Sequence, residues 1–222
     1  AVDAEHGENI ENEYWRTRAV ERGLYDRAHP ISRFSTGNLA TLSGVTREEL
    51  LRFYERRYSS NVMTLAVVGN RSLDELEALV RQRFEPVQDR PLRPARFPQQ
   101  YLAPKAALRL LQVEPLADER TLSLQFPLPP VLQQYPARPL QILSGLLGHE
   151  GRGSLLSLLK AEGLALSLSA GIGENTADYA SLDIAIGLTP EGLRRYRDVL
   201  RYALGAINGL RQRGVPRSLF DE

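Results

Sequence analysis

LALSLSAGIG (residues 164–173) and LDIAIGLTPEGL (182–193) decide the fold. In the first stretch Leu164, Leu166, Leu168, Ala170 and Ile172 occupy alternate positions, with mostly small residues between them. Leu182, Ile184, Ile186 and Leu188 alternate in the same way. A period of two over these lengths predicts strands with one buried face, the pattern of an antiparallel sheet. Thr189, Pro190 and Glu191 then supply a capping hydroxyl, a proline at the first helical position and an acidic first turn. Leu193, Tyr196, Leu200, Leu204, Ile207 and Leu210 carry the resulting helix to Gly214.

Working back along the chain, residues 154–162 predict a short helix started by Ser154 and stopped by Gly163. Residues 139–147 form an apolar helix (Leu140, Leu143, Leu146, Leu147) ending at Gly148. Residues 107–113 and 121–126 read as strands joined by a polar turn with Asp118 and Glu119. Between them and the first third of the chain lie Pro86, Pro91, Pro94, Pro98 and Pro104. Proline at that density forbids a helix interior or a central strand, so the stretch is an extended linker with Arg90, Arg93 and Arg96 in solvent.

Further upstream, Ser72 caps a helix with Leu73, Leu76, Val80 and Phe84 on one face, and VMTLAVVG (62–69) predicts a buried strand. This strand, turn and helix unit returns at 182–213, but the shared identities are too few to define a repeat. Thr46 and Glu49 have capping-box spacing ahead of Leu50, Phe53, Tyr54 and Tyr58. Gly23, Pro30, Gly37, Asn38 and Gly44 make 23–45 a loop, and 5–22 reads as a helix with few apolar positions (Ile10, Tyr14, Trp15, Val20). The fold class is α+β, with layered, mostly antiparallel sheets and packed helices. The expected division is 1–90, a proline-rich linker at 91–104, and 105–222.

The 222 residues suffice for one sizeable core or two smaller ones. With 28 basic against 27 acidic side chains and no long basic run, nothing favours a nucleic-acid partner. The chain lacks cysteine, which excludes disulfides and thiolate metal sites. No apolar run approaches the ~20 residues of a membrane span. The start has no methionine and no signal-peptide pattern, and both ends read as cuts in a longer protein.

The three histidines, His6, His29 and His149, are too far apart for two to share a helix face around a metal. There is no phosphate-binding glycine loop, and no G-x-S-x-G nucleophile elbow. Two features remain. Glu5, Glu8 and Asn12 share one face of the first helix, and a solvated acidic helix start is the ordinary reading of that pattern. The glycine-flanked segment 145–153 precedes a small-residue strand, Ser167–Gly173, whose accessible backbone suits an extended peptide. A tight helix–loop–helix beside an ordinary strand is the ordinary reading of it.

AVDAEHGENIENEYWR (1–16) resembles the segment of insulinase/pitrilysin-type zinc metallopeptidases that supplies the third zinc ligand. AHPISRFSTGNLATL (28–42), YSSNVMTLAVVGNRSLDELE (58–77), GLLGHEGRGSLLSLLKAEG (145–163), LTPEGL (188–193) and the final FDE are similar to further words of that family, in the same order. In the family an upstream HxxEH motif provides two histidine ligands and a glutamate base. The resemblance therefore implies Zn2+ as cofactor and Glu5 as its ligand, with Glu8 orienting the ligands from one turn away. Peptides are the implied substrates, anchored by His149, Leu168, Ala170, Gly171 and Ile172, with Gly171 and Gly173 keeping the backbone open. Because this chain has no HxxEH, no catalytic residue is expected in it, and the segment alone is expected to be inactive. The resemblance assigns 1–90 to the second half of a catalytic domain and 105–222 to the first part of an inactive one. Expected partners are the remainder of the protein's own chain and, as an option, a second copy in a homodimer. A bacterial periplasmic or cytosolic enzyme is the expected setting. The alternative is a non-catalytic subunit or interaction module of the same fold.

Overall fold

A computed structural model describes residues 1–106, 108–215 and 217. Its helices and strands, in chain order, are α1 (Val2–Asn9), α2 (Glu13–Glu21), α3 (Leu39–Leu42), α4 (Arg47–Arg57), α5 (Leu73–Phe84), β1 (Thr121–Leu128), α6 (Pro139–Leu147), α7 (Leu155–Ala161), β2 (Ala165–Asn175), β3 (Ala180–Leu188), α8 (Pro190–Arg194) and α9 (Tyr196–Arg213). They group into two compact units, one of 1–8 with 34–96 and one of 9–33 with 97–222.

In the first unit local signals build the helices. Thr46 Oγ1 accepts from the Glu49 amide at 3.2 Å while the Glu49 carboxylate accepts from the Thr46 amide at 2.9 Å, closing the predicted box at the start of α4. Ser72 and Glu75 repeat the arrangement at α5. An unanticipated box, Asn38 with Thr41, starts α3 inside the expected loop. The buried strand expected at 62–69 is absent. Val62 ends a 3-10 turn, residues 63–69 pair with no described strand, and Val68 is fully exposed. A strand needs a neighbour to satisfy its backbone and cover its side chains, and this unit offers none.

The proline-rich stretch is likewise not free in solvent. The Arg90 amide donates to the buried Ser59 hydroxyl at 2.7 Å, and Asn61 Nδ2 donates to Leu92 O at 2.7 Å. Arg90 also donates to Tyr58 O at 2.7 Å, with its guanidinium over the Tyr54 ring. The residues YSSN (58–61) thus pin 88–92 in place.

The second unit is built on a three-stranded antiparallel sheet in the order β1-β3-β2. Leu124, Ile184 and Ala170 lie side by side across it, as do Leu122, Ile186 and Leu168. These residues share one face, on which Leu147, Leu156, Leu159, Val199 and Ala203 from α6, α7 and α9 close the core. Each CH2 removed from water there contributes about 0.8 kcal/mol. Thr189 caps α8 as predicted, accepting from the Gly192 amide at 2.9 Å. The single helix expected from Thr189 to Gly214 breaks at Arg195, whose backbone (φ −104°, ψ 29°) leaves the helical region.

Three further expectations change. Leu166 does not join its alternate neighbours in the core but is 66% exposed, because a register shift between Ala165 and Ser167 inserts one extra residue there. No strand forms over 108–113; Leu108 has a positive φ of 58° and is fully exposed. Ala107, and the FDE of 220–222, lie outside the described residues. The helix expected at 5–22 is two helices, because the Asn12 side chain accepts from the Tyr14 and Trp15 amides at 3.0 and 3.4 Å and starts α2 afresh. α2 groups with the second unit, not with the rest of 1–90. Among the described residues no helix is long and apolar enough to cross a membrane.

Candidate functional site

Glu5 and Glu8 lie on α1, both exposed. Asp3 Oδ1 accepts from the Leu39 amide at 2.7 Å, and the His6 ring meets Phe34 edge-on at 5.0 Å. Residues 3 and 6 therefore face the 34–39 loop. At 100° per residue, Glu5 and Glu8 point to the other side. An exposed carboxylate on a helix held from behind is a suitable metal ligand. No cluster of three His, Cys, Asp or Glu among the described residues could hold a metal ion, so Glu5 fits zinc only as one member of a larger set.

The residues expected to anchor substrate all lie on the second unit. Gly148 ends α6 close against β2, where an added Cβ would lie 3.4 Å from the Ala170 nitrogen. His149 follows and folds over Gly151, at which any Cβ would meet the imidazole at 2.5 Å. Leu168 is buried in the core, and Ala170 directs its methyl group to the same face. The Ala170 methyl thus packs inward. Gly171 has open space where a side chain would stand, whereas a Cβ on Gly173 would sit 2.0 Å from Asp183 Oδ2 and 2.5 Å from Ser181 Oγ. β2 is an edge strand of this sheet, and its pairing to β3 runs without a register shift from Ser167 to Ile172. That uninterrupted run contains four of the five predicted anchoring residues. Its outer backbone groups have no described strand beside them, the geometry that strand addition requires.

His29, by contrast, is structural. It is 3% exposed among Phe97, Tyr101 and Tyr179, with Nδ1 accepting from the Ile31 amide at 3.3 Å and Nε2 3.1 Å from Pro98 O. That pair of partners places the proton on Nε2.

The other face of the sheet holds a group of charges that sequence reasoning missed. Arg18 on α2 donates to Glu174 at 2.7 Å, to Glu21 at 3.1 Å and to the Tyr25 hydroxyl at 3.2 Å. Gln125 lies beside both Tyr25 and Asp183, and Ser181 lies beside Asp183. Burial pushes the Glu21 and Asp183 carboxyls up from their ordinary values, with Arg18 opposing in both cases. Burial works against the charged Arg18, but Tyr25, Glu174 and Glu21 more than offset it and hold its pKa above the ordinary value. The partners are as far as 156 residues apart in sequence, so no local pattern announces them.

Comparison with known proteins places this geometry in a family. The family described as "Peptidase M16 inactive domain" matches residues 44–222. The chain is 38% identical to an insulin-degrading enzyme-like 1, peroxisomal, of Arabidopsis thaliana over all of its own length and 24% of the relative's. It is 36% identical to the insulin-degrading enzyme of Homo sapiens, again over its whole length and 22% of the relative's. Among solved structures, pitrilysin superposes with a TM-score of 0.83 at 23% identity, covering 99% of this chain and 24% of that one. A peptidase M16 inactive domain from Pseudomonas fluorescens superposes with a TM-score of 0.68 at 18% identity, covering 99% and 52% of the two chains. The chain thus spans about a quarter of the length of the curated relatives it matches. Its matched span, its end-to-end likeness to insulin-degrading enzymes and its pitrilysin-like fold show that the chain belongs to the peptidase M16 family, of the insulinase/pitrilysin type.

Proposed function

We propose that this chain is part of a zinc-dependent endopeptidase that degrades peptides, contributing one metal ligand and a surface that anchors substrate. Glu5 is the ligand and Glu8 the residue that orients it. Residues 1–90 belong to a catalytic domain and 105–222 to an inactive one, joined by 91–104, with α2 built into the second unit. The observation that carries this reading is the exposed Glu5 carboxylate on a helix held from its opposite side by Asp3 and His6. Zinc, when bound, supplies Lewis-acid polarisation of the scissile carbonyl and of the attacking water. What the chain's own residues do is hold and orient. Asp3 fixes α1 through the Leu39 amide, so Glu5 is offered from a rigid element.

On the second unit the Ser167–Ile172 edge pairs with the backbone of an extended peptide, and the His149 loop borders it at Gly148. Backbone pairing reads shape more than side chains, which gives broad sequence tolerance. The test is made on the full-length parent protein, measuring zinc content and cleavage of a quenched fluorescent peptide together. Glu5→Gln is expected to lower both, cleavage by at least about 100-fold. Normal zinc and normal cleavage in that variant would overturn the ligand assignment. A wild-type protein that is metal-free and inert would make it a non-catalytic member of the family.

A further inference from the structure

We propose that Arg18 and Glu174 form a positioning clamp that sets the peptide-accepting edge of β2, a role that rests on the anchoring reading above. Glu174 stands where the β2 ladder is interrupted, since the register to β3 shifts between Ile172 and Asn175. There the Glu174 amide donates to the Ser181 hydroxyl at 2.8 Å, a side-chain contact in place of a ladder bond. The Glu174 carboxylate then meets Arg18 at 2.7 Å, in a setting where both side chains are about three-quarters covered (27% and 22% exposed). A charge-assisted bond in partial shelter holds geometry better than one in open solvent.

Arg18 is offered from a fixed base. At one end of α2 the Glu13 carboxylate accepts from the Leu116 and Ala117 amides, and beyond the other end Tyr25 bridges to Leu102. The charges around the clamp explain what its loss would do. Glu21 and Glu174 both bond one guanidinium, Asp183 lies within its electrostatic reach, and Tyr25, Tyr101 and Tyr179 stand beside the group. Gly173 brings the β2 backbone so close to Asp183 and Ser181 that no side chain fits between. Without Arg18, three carboxylates face one another under that backbone and drive the end of β2 outward. The peptide edge then loses its fixed position, although neither clamp residue touches the peptide.

The experiment uses the full-length parent protein and two quenched fluorescent peptides, one intact and one lacking its first few residues. In the wild type, shortening is expected to raise KM; an unchanged KM would refute the anchoring reading itself. Given that rise, Arg18→Met and Glu174→Gln should each raise KM for the intact peptide about 5-fold, keep kcat within about 2-fold, and leave the shortened peptide unaffected. Arg18→Lys should recover most of the KM, and the double variant should be no worse than either single one. An unchanged KM for the intact peptide in both single variants would overturn the clamp while leaving the anchoring reading intact. So would equal losses on both peptides, which mark a merely structural role, or effects that multiply in the double variant. If thermal melting shows Arg18→Met unfolded, Glu174→Gln carries the test, because Arg18 then keeps Glu21 as its partner.

Discussion

The two units form their helices by the same local means and differ in what covers them. In the first, α4 and α5 start on complete capping boxes, yet no large apolar side chain among the described residues is buried. In the second, β3 runs through the middle of a sheet, and Leu182, Ile184, Ile186 and Leu188 are all enclosed by α6, α7 and α9. Apolar spacing says which side of an element seeks cover; it does not say what supplies the cover.

The largest expected effect tests that contrast directly. Ile184→Ala, at 1% exposure in the central strand, should lower the unfolding free energy of the second unit by about 3 kcal/mol in a urea titration. Val68→Ala, fully exposed in the first unit, should change it by less than about 0.5 kcal/mol. Similar costs at the two positions would break the comparison. Within the second unit, Gly173→Ala should cost about 2 kcal/mol because its Cβ collides with Asp183 and Ser181, while Gly171→Ala, with open space, should be close to neutral.

The smallest effect is a pH dependence. Glu21 and Asp183 have carboxyls raised by burial above the ordinary 4.5 and 3.8. The folded state therefore binds their protons more readily than the unfolded chain. Their contribution to stability is present in full below the ordinary values and is lost as pH rises through the raised ones. Thermal melts of Asp183→Asn should show a shallower decline over that window than the wild type. An unchanged slope would remove Asp183 from the account.

What the sequence made legible follows the range of the interactions. The caps at Thr46, Ser72, Ser154 and Thr189, and the alternation at 182–188, are set by neighbours a few residues away and appear where expected. The strands expected at 62–69 and 107–113 depend on distant partners, and apolar composition alone cannot provide those. Leu166 fails for a different reason, since it is itself the extra residue between Ala165 and Ser167, which pair with successive β3 positions, and it is left out of the ladder. At the candidate site, the expectations for Glu5 and for the anchoring residues rest on whole words shared with a family. Arg18, Glu21 and Asp183 were not legible, because a charge set assembled from α2, β2 and β3 has no local spacing to read.

The interruptions that bound the β2 edge also bear on solubility. A long, flat, unpaired edge invites a second copy to add on, and then a third, until strands stack into aggregates. Here the free run is limited to Ser167–Ile172 by a register shift on either side, and the opposite edge of the sheet carries Pro127 near the end of β1. Proline cannot donate to a neighbouring strand, and a bulge turns an edge away from flat stacking. An edge this short can take up a single extended segment and still be a poor template for its own kind.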